Sequence, residues 1–232
     1  NEKRFWHFNS ITKTGYTANY WYIGAPIIWL PFFLVGHGVA WLYGLLGYPV
    51  AMDGYAFPYH AFTFLASACE VLVALILCYK ALEKFYSPSA CLTATILLFT
   101  STCLPYFTFI RNRMSHTGHM LAGFVFFLLF LKFREHAENK TVQHPGSKLD
   151  SAIPRLAYFM FWGSVAGLLV DLRYISVIYC VLPLGIAIKI FLDPETSSLD
   201  KRRLQQGLGL AFLAFLITIS PQLAAWKKLH GV

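Results

Sequence analysis

Long apolar blocks separated by short polar breaks run through most of this chain, and their lengths predict helices that cross a bilayer. Six stretches fit: about 61–79, 90–110, 116–132, 155–171, 174–192 and 207–226. Each approaches the roughly 20 residues a helix needs to span the hydrocarbon core. Two carry polar or helix-breaking features. Glu70 sits inside the first, and Pro105 interrupts the end of the second.

The segment 23–46 is apolar enough to span, but Pro26, Pro31, Gly36, Gly38 and Gly44 punctuate it. Proline in a helix interior costs about 3 kcal/mol. Aromatic residues also concentrate early: Trp6, Trp21, Trp29 and Trp41 all fall in the first 60 residues, with seven of the thirteen tyrosines. Both residue types prefer the membrane–water interface. Residues 1–60 are therefore expected to form an outer-face juxtamembrane segment with interfacial helices, and not one straight span. Residues 61–232 are expected to form the transmembrane bundle, with a polar cytoplasmic loop at about 133–154. The sequon Asn139-Lys140-Thr141 would then face the cytoplasm and stay unused.

Composition agrees. Of 232 residues, 57% are hydrophobic and 13% charged, against about 25% charged in a soluble domain. The fold class expected is all-α, a polytopic transmembrane bundle of about six crossings plus the juxtamembrane helices. The chain starts at Asn1 and stops just after an apolar run, so a piece of a longer protein is expected. The five cysteines lie in apolar runs without a CxxC pair and read as small buried hydrophobes.

The net charge of +8 does not point to nucleic acid, because no basic stripe or RNA motif is present. The basic residues cluster in short loops, as in cytoplasmic loops of membrane proteins. With residue 60 outside, Lys80, Lys84, Lys132, Arg134, Lys140, Lys148, Arg155, Lys189, Lys201, Arg202 and Arg203 are inside. Arg111, Arg113, Arg173, Lys227 and Lys228 are outside. That eleven-to-five split selects this orientation.

The same orientation gathers three polar clusters on the outer face: Arg111-Asn112-Arg113-Met114-Ser115-His116, Asp171-Leu172-Arg173-Tyr174, and Ser220-Pro221-Gln222 with Trp226. Charge at membrane depth is costly and tends to mark function. Guanidinium forks suit phosphate oxygens, so Arg111, Arg113 and Arg173, with His116 and Gln222 beside them, are candidates for holding an anionic headgroup. The plainer alternative is that the arginines snorkel to ordinary lipid phosphates, or that Asp171 neutralises Arg173. His116 and His119 stand three apart, a spacing that suits two metal ligands. No third ligand lies in sequence reach, so no metal is assigned. Glu70 reads as a carboxyl satisfied within the bundle, or as a proton relay. Asp53, in the loop Asp53-Gly54-Tyr55, reads as a turn residue or as a catalytic base. Gly163 and Gly167 form a GxxxG pattern that permits close helix packing.

These residues together resemble the GT-C class of polytopic glycosyltransferases, the relatives of protein O-mannosyltransferases and the lipid A aminoarabinose transferase. The resemblance rests on Tyr22-Ile23-Gly24-Ala25-Pro26-Ile27-Ile28-Trp29-Leu30-Pro31-Phe32-Phe33, Asp53-Gly54-Tyr55, Arg113-Met114-Ser115-His116, Gly163 to Gly167 with Arg173, and Pro221-Gln222 to Trp226. It implies a cell (inner) membrane enzyme that moves a sugar from a polyprenyl-phosphate donor to an outer-face acceptor. Arginine would stabilise the phosphate and a carboxylate would act as base. No resident cofactor is implied, although a divalent cation could assist. The family's acidic residue lies close after its first transmembrane helix, and this chain begins downstream of that point; Asp53 is the acidic candidate that remains. The alternatives are a non-catalytic GT-C-like subunit packed against membrane protein partners, and a small-solute transporter built around Glu70.

Overall fold

The structure is a computed structural model that describes residues 11–18, 21–111, 114–139 and 156–231. It is all-helical, apart from one isolated bridge between Ile11 and Thr17. The helices are α1 (Gly24–Leu45), α2 (Phe57–Leu82), α3 (Pro88–Thr100), α4 (Leu104–Phe109), α5 (Ser115–Asn139), α6 (Leu156–Leu172), α7 (Val181–Leu192) and α8 (Ser198–His230). A 3-10 turn, Tyr174–Cys180, leads into α7.

Five segments are long and apolar enough to cross a membrane: Gly24–Leu45, Phe57–Leu82, Ser115–Ala137, Tyr174–Leu192 and Ser198–His230. Their mid-helix surfaces are greasy. Leu72, Val73 and Ile76 of α2, Leu184 and Ile188 of α7, and Phe212, Leu213 and Ile217 of α8 are all exposed. Contiguous apolar surface of this kind does not suit water, and the chain is a multi-pass membrane protein.

The expected crossings differ in detail. The stretch 90–110 is not one helix: α3 ends at Thr100, and α4 restarts at Leu104 with Pro105 in its first turn. Proline fits there because the first-turn N–H groups have no helical partner. The stretch at 155–171 forms a 17-residue helix, short for a span.

Residues 23–46 depart further from expectation, because α1 is one continuous helix through Pro31. Pro26 falls in the first turn, where its missing N–H costs nothing. Gly36 has a packing role, since a Cβ there would meet Pro58 O at 3.0 Å and Tyr59 Cα at 3.1 Å. Only Pro31 is a true interior interruption. The placement of α1 is distinctive. Gly24 lies on the Asp171 backbone at the end of α6, Ile28 packs on Gly118 near the start of α5, and Gly36 meets the start of α2. The helix therefore runs back along the first half of α2, away from the end of the bundle where Lys84 and Glu135 pair.

The core is held by α5, α6 and α8. Phe126, Phe133, Phe159 and Trp162 are buried together, with Phe126 on Trp162 and Phe133 on Phe159. The pairing is antiparallel, so the end of α6 meets the start of α5. Against α8 the contact is parallel and closer. Gly163 sits on Ala211, Gly167 on Phe215 and Thr218, and Gly207 under Phe159. The GxxxG expectation for α6 is met by a matching small-residue stripe on α8.

Hydroxyl groups keep the helices self-satisfied in an apolar setting. Thr63, Thr95, Thr108 and Thr218 each donate to the carbonyl four residues back. Pro221 removes the donor that would serve Ile217 O, and the Ser220 hydroxyl takes its place at 2.8 Å. This allows α8 to continue for 33 residues, about 50 Å of helix, well beyond the bilayer core. Ser197 caps its start by accepting from Asp200 N, and Gly231, with φ of 75°, ends it.

The loops gather at two ends, as the charge pattern anticipates. One end holds the Lys84–Glu135 pair, with the start of α6 and the α7–α8 connection. The other holds α4, the start of α5, the α6–α7 corner and the end of α8.

Candidate functional site

The polar side chains of interest lie at this second end. Arg173 stands in extended backbone at the corner between α6 and the 3-10 turn, and its half-buried side chain crosses to α5. There Nη2 rests over the His116 ring, 2.7 Å from Nδ1 and 3.3 Å from Nε2. A guanidinium over the ring face disfavours a second positive charge on the imidazole, so the neutral form of His116 suits this arrangement. Phe107 of α4 stacks on the same ring, with centroids 3.9 Å apart. One turn deeper, His119 Nε2 is 2.7 Å from Ser176 Oγ. The two histidines thus turn to different partners on the α6–α7 corner.

Asp171 does not neutralise Arg173. Its side chain is 1% exposed, and its Oδ2 has no hydrogen-bond partner. Glu70 is similarly enclosed: Oε2 accepts from the Thr117 hydroxyl at 2.6 Å, while Oε1 is unpartnered. The Trp29 side chain also approaches this carboxyl, outside good hydrogen-bond geometry. The Lys84–Glu135 ion pair lies far from this end.

Gln222 lies at the same end but faces α1. Its Oε1 accepts from Ile23 N–H at 2.7 Å. The chain before α1 then follows the last turns of α8. Tyr22 packs on Trp226 and Tyr174, Lys228 lies over the Tyr16 ring, and the Thr14 hydroxyl donates to Leu229 O. Partial burial, with Tyr174 nearby, pushes the Tyr22 phenol above its usual range.

Of the residues singled out in the sequence, Arg173 and His116 are in direct contact. Arg111 is exposed just after α4, with no described contact to that pair. Arg113 lies outside the described residues, as do Lys140 and Thr141 of the sequon and most of the loop at 133–154. Asp53 is exposed, and its Oδ1 accepts from Tyr55 N at 2.8 Å, a side-chain-closed turn in which Gly54 takes φ of 85°. The sequence did not announce Phe107, Thr117 or Ser176, since no spacing rule links them to their partners across the bundle.

In comparisons with protein-family models, curated proteins and solved structures, nothing matches the chain.

Proposed function

We propose that this protein is a GT-C-like membrane glycosyltransferase of the cell (inner) membrane, using a polyprenyl-phosphate-linked sugar at the outer end of its bundle. The observation that carries the reading is the half-buried Arg173 held by His116 at that end. A guanidinium so placed is fixed in direction and near the membrane boundary, where a lipid phosphate resides. It can stabilise charge developing on a phosphate leaving group without a metal. Two further features fit. The basic loops collect at the opposite end, which makes the Arg173 end the outer one. Helix α1 lies along the outer half of α2 and meets α5 and α6 only at their ends, as a juxtamembrane helix would. Asp53 is the carboxylate assigned as base, its Oδ2 being left over from the turn.

A second reading, a non-catalytic subunit, is favoured by how the side chains are engaged. Gln222 is spent on Ile23 and one oxygen of Asp53 on its own turn. One experiment separates the two: the protein is reconstituted in nanodiscs, and binding and turnover of polyprenyl-phosphate hexoses are measured. The enzyme reading expects Arg173→Ala to weaken binding and slow transfer at least tenfold, with Lys201→Ala unchanged. Arg173→Lys should restore part of the loss, because it keeps the charge without the fork. Asp53→Asn should spare binding and abolish transfer. If Arg173→Ala changes neither quantity, the donor-site assignment fails and the subunit reading stands.

A further inference from the structure

Arg173 Nη2 lies over the His116 ring, within 3.3 Å of both ring nitrogens, and its charge favours the neutral imidazole. His116 in this arrangement is therefore not a second donor for an anion. It is a neutral ring lying against a cation. An anionic oxygen is a stronger acceptor for the guanidinium hydrogens than a neutral imidazole. Resting on the donor-site reading above, we propose that Arg173 and His116 form a proton-coupled receptor for a phosphodiester. When the anion takes the guanidinium, His116 takes a proton from solvent and becomes the second donor, so binding consumes a proton.

The surroundings leave His116 as the group placed to respond. Phe107 of α4 covers the ring and brings no charge. From α5, His119 is already engaged with Ser176 of the 3-10 turn. From α6, Asp171 is buried and does not reach Arg173. From α2, Glu70 is committed to Thr117. Arg111 is exposed, with no described contact to the pair. On the α8 side, Tyr22 packs on Tyr174 and Trp226, its phenol pushed above its usual range. Binding and protonation then favour one another reciprocally, as thermodynamic linkage requires.

The test uses the whole protein in phosphatidylcholine nanodiscs and a polyprenyl-phosphate mannose as probe. That phosphodiester keeps one fixed charge between about pH 5.5 and 8, so any proton exchanged belongs to the protein. Calorimetric titration in two buffers of different ionisation enthalpy counts the protons. The expected result is uptake of about half to one proton near pH 7, with affinity tightening by up to about tenfold per pH unit as pH falls. His116→Gln should still bind but take up no proton, and His119→Gln should take up the same amount as the unaltered protein. Binding without uptake overturns the proposal and leaves the donor site standing, as does unchanged uptake in His116→Gln. If His116→Gln does not fold, the unaltered protein and His119→Gln decide: loss of uptake in the latter assigns the proton to His119 and overturns the proposal. Absence of probe binding at any pH removes the donor-site reading and this inference together.

Discussion

Gln222 of α8 accepts the backbone N–H of Ile23 at 2.7 Å, and so fixes where α1 begins. The two residues are far apart in sequence, and the bond ties α1 to α8. Ile23 has no side chain able to cap, and none of the α1 first turn is acidic, so Gln222 acts as an imported cap. Gln222→Ala leaves that N–H without its partner and should cost about 1 kcal/mol. The loss should be local. Hydrogen exchange at Ile23–Ile28 should quicken, while the α5–α6 core remains protected. Unchanged exchange in α1 would contradict the capping role.

The α6–α8 seam makes a sharper prediction. A Cβ on Gly163 would stand 2.0 Å from Ala211 O and 2.7 Å from Ala211 Cα. Both are backbone atoms, so the helices must separate. Gly163→Ala should destabilise the protein by about 1–3 kcal/mol. Gly209, on the same helix as Ala211, has nothing within 4 Å of its would-be Cβ. Gly209→Ala should therefore be neutral or gain up to about 1 kcal/mol from helix propensity. Thermal unfolding in detergent distinguishes the two, and equal effects would mean the seam is not as tight as its geometry implies.

The topology can be tested with cysteine labelling in a background lacking the five native cysteines. Tyr55, in the α1–α2 connection, and Glu195, between α7 and α8, are both exposed. They lie at opposite ends of the bundle. A membrane-impermeant maleimide should label Tyr55→Cys from outside intact cells and reach Glu195→Cys only after permeabilisation. Labelling of both from one side would rule out the assigned orientation.

How much of this was legible depended on the kind of signal. Apolar blocks and loop charges are local, and they foretold the helical class and the two-ended sorting of loops. The GxxxG of Gly163 and Gly167 marked a seam without naming its partner. Proline and glycine misled at α1, because their effect depends on position. Pro26 is harmless in a first turn, and Gly36 serves a close contact. The 90–110 stretch misled in the opposite sense, since hydropathy does not register the turn at 101–103. The site was half legible. Arg173 and His116 were chosen for chemistry and do meet. Gln222, chosen on the same grounds, serves a helix start, and Asp171, whose pairing with Arg173 was one of two alternatives, stays apart from it. Partners such as Thr117 are set by helix register across the bundle, which one sequence does not disclose.

Glu70 offers the clearest separation of structural from functional roles. Its Oε2 accepts from Thr117, its Oε1 is unpartnered, and the residue is 3% exposed. A buried polar group that loses its partner costs about 1–3 kcal/mol, more than the bond itself contributes. Thr117→Val deletes the donor and keeps the shape, so it should destabilise by about that amount. Glu70→Gln behaves differently. Its amide oxygen can still accept from Thr117, so the cost should fall at the low end of that range, about 1 kcal/mol for the buried NH2. If Glu70 only packs the bundle, Glu70→Gln also keeps full turnover of the lipid-linked donor. If it relays protons, as the transporter alternative requires, Glu70→Gln abolishes activity in a fully folded protein, because an amide does not titrate. The enzyme reading expects retained turnover, and a folded, inactive Glu70→Gln would transfer weight to the transporter.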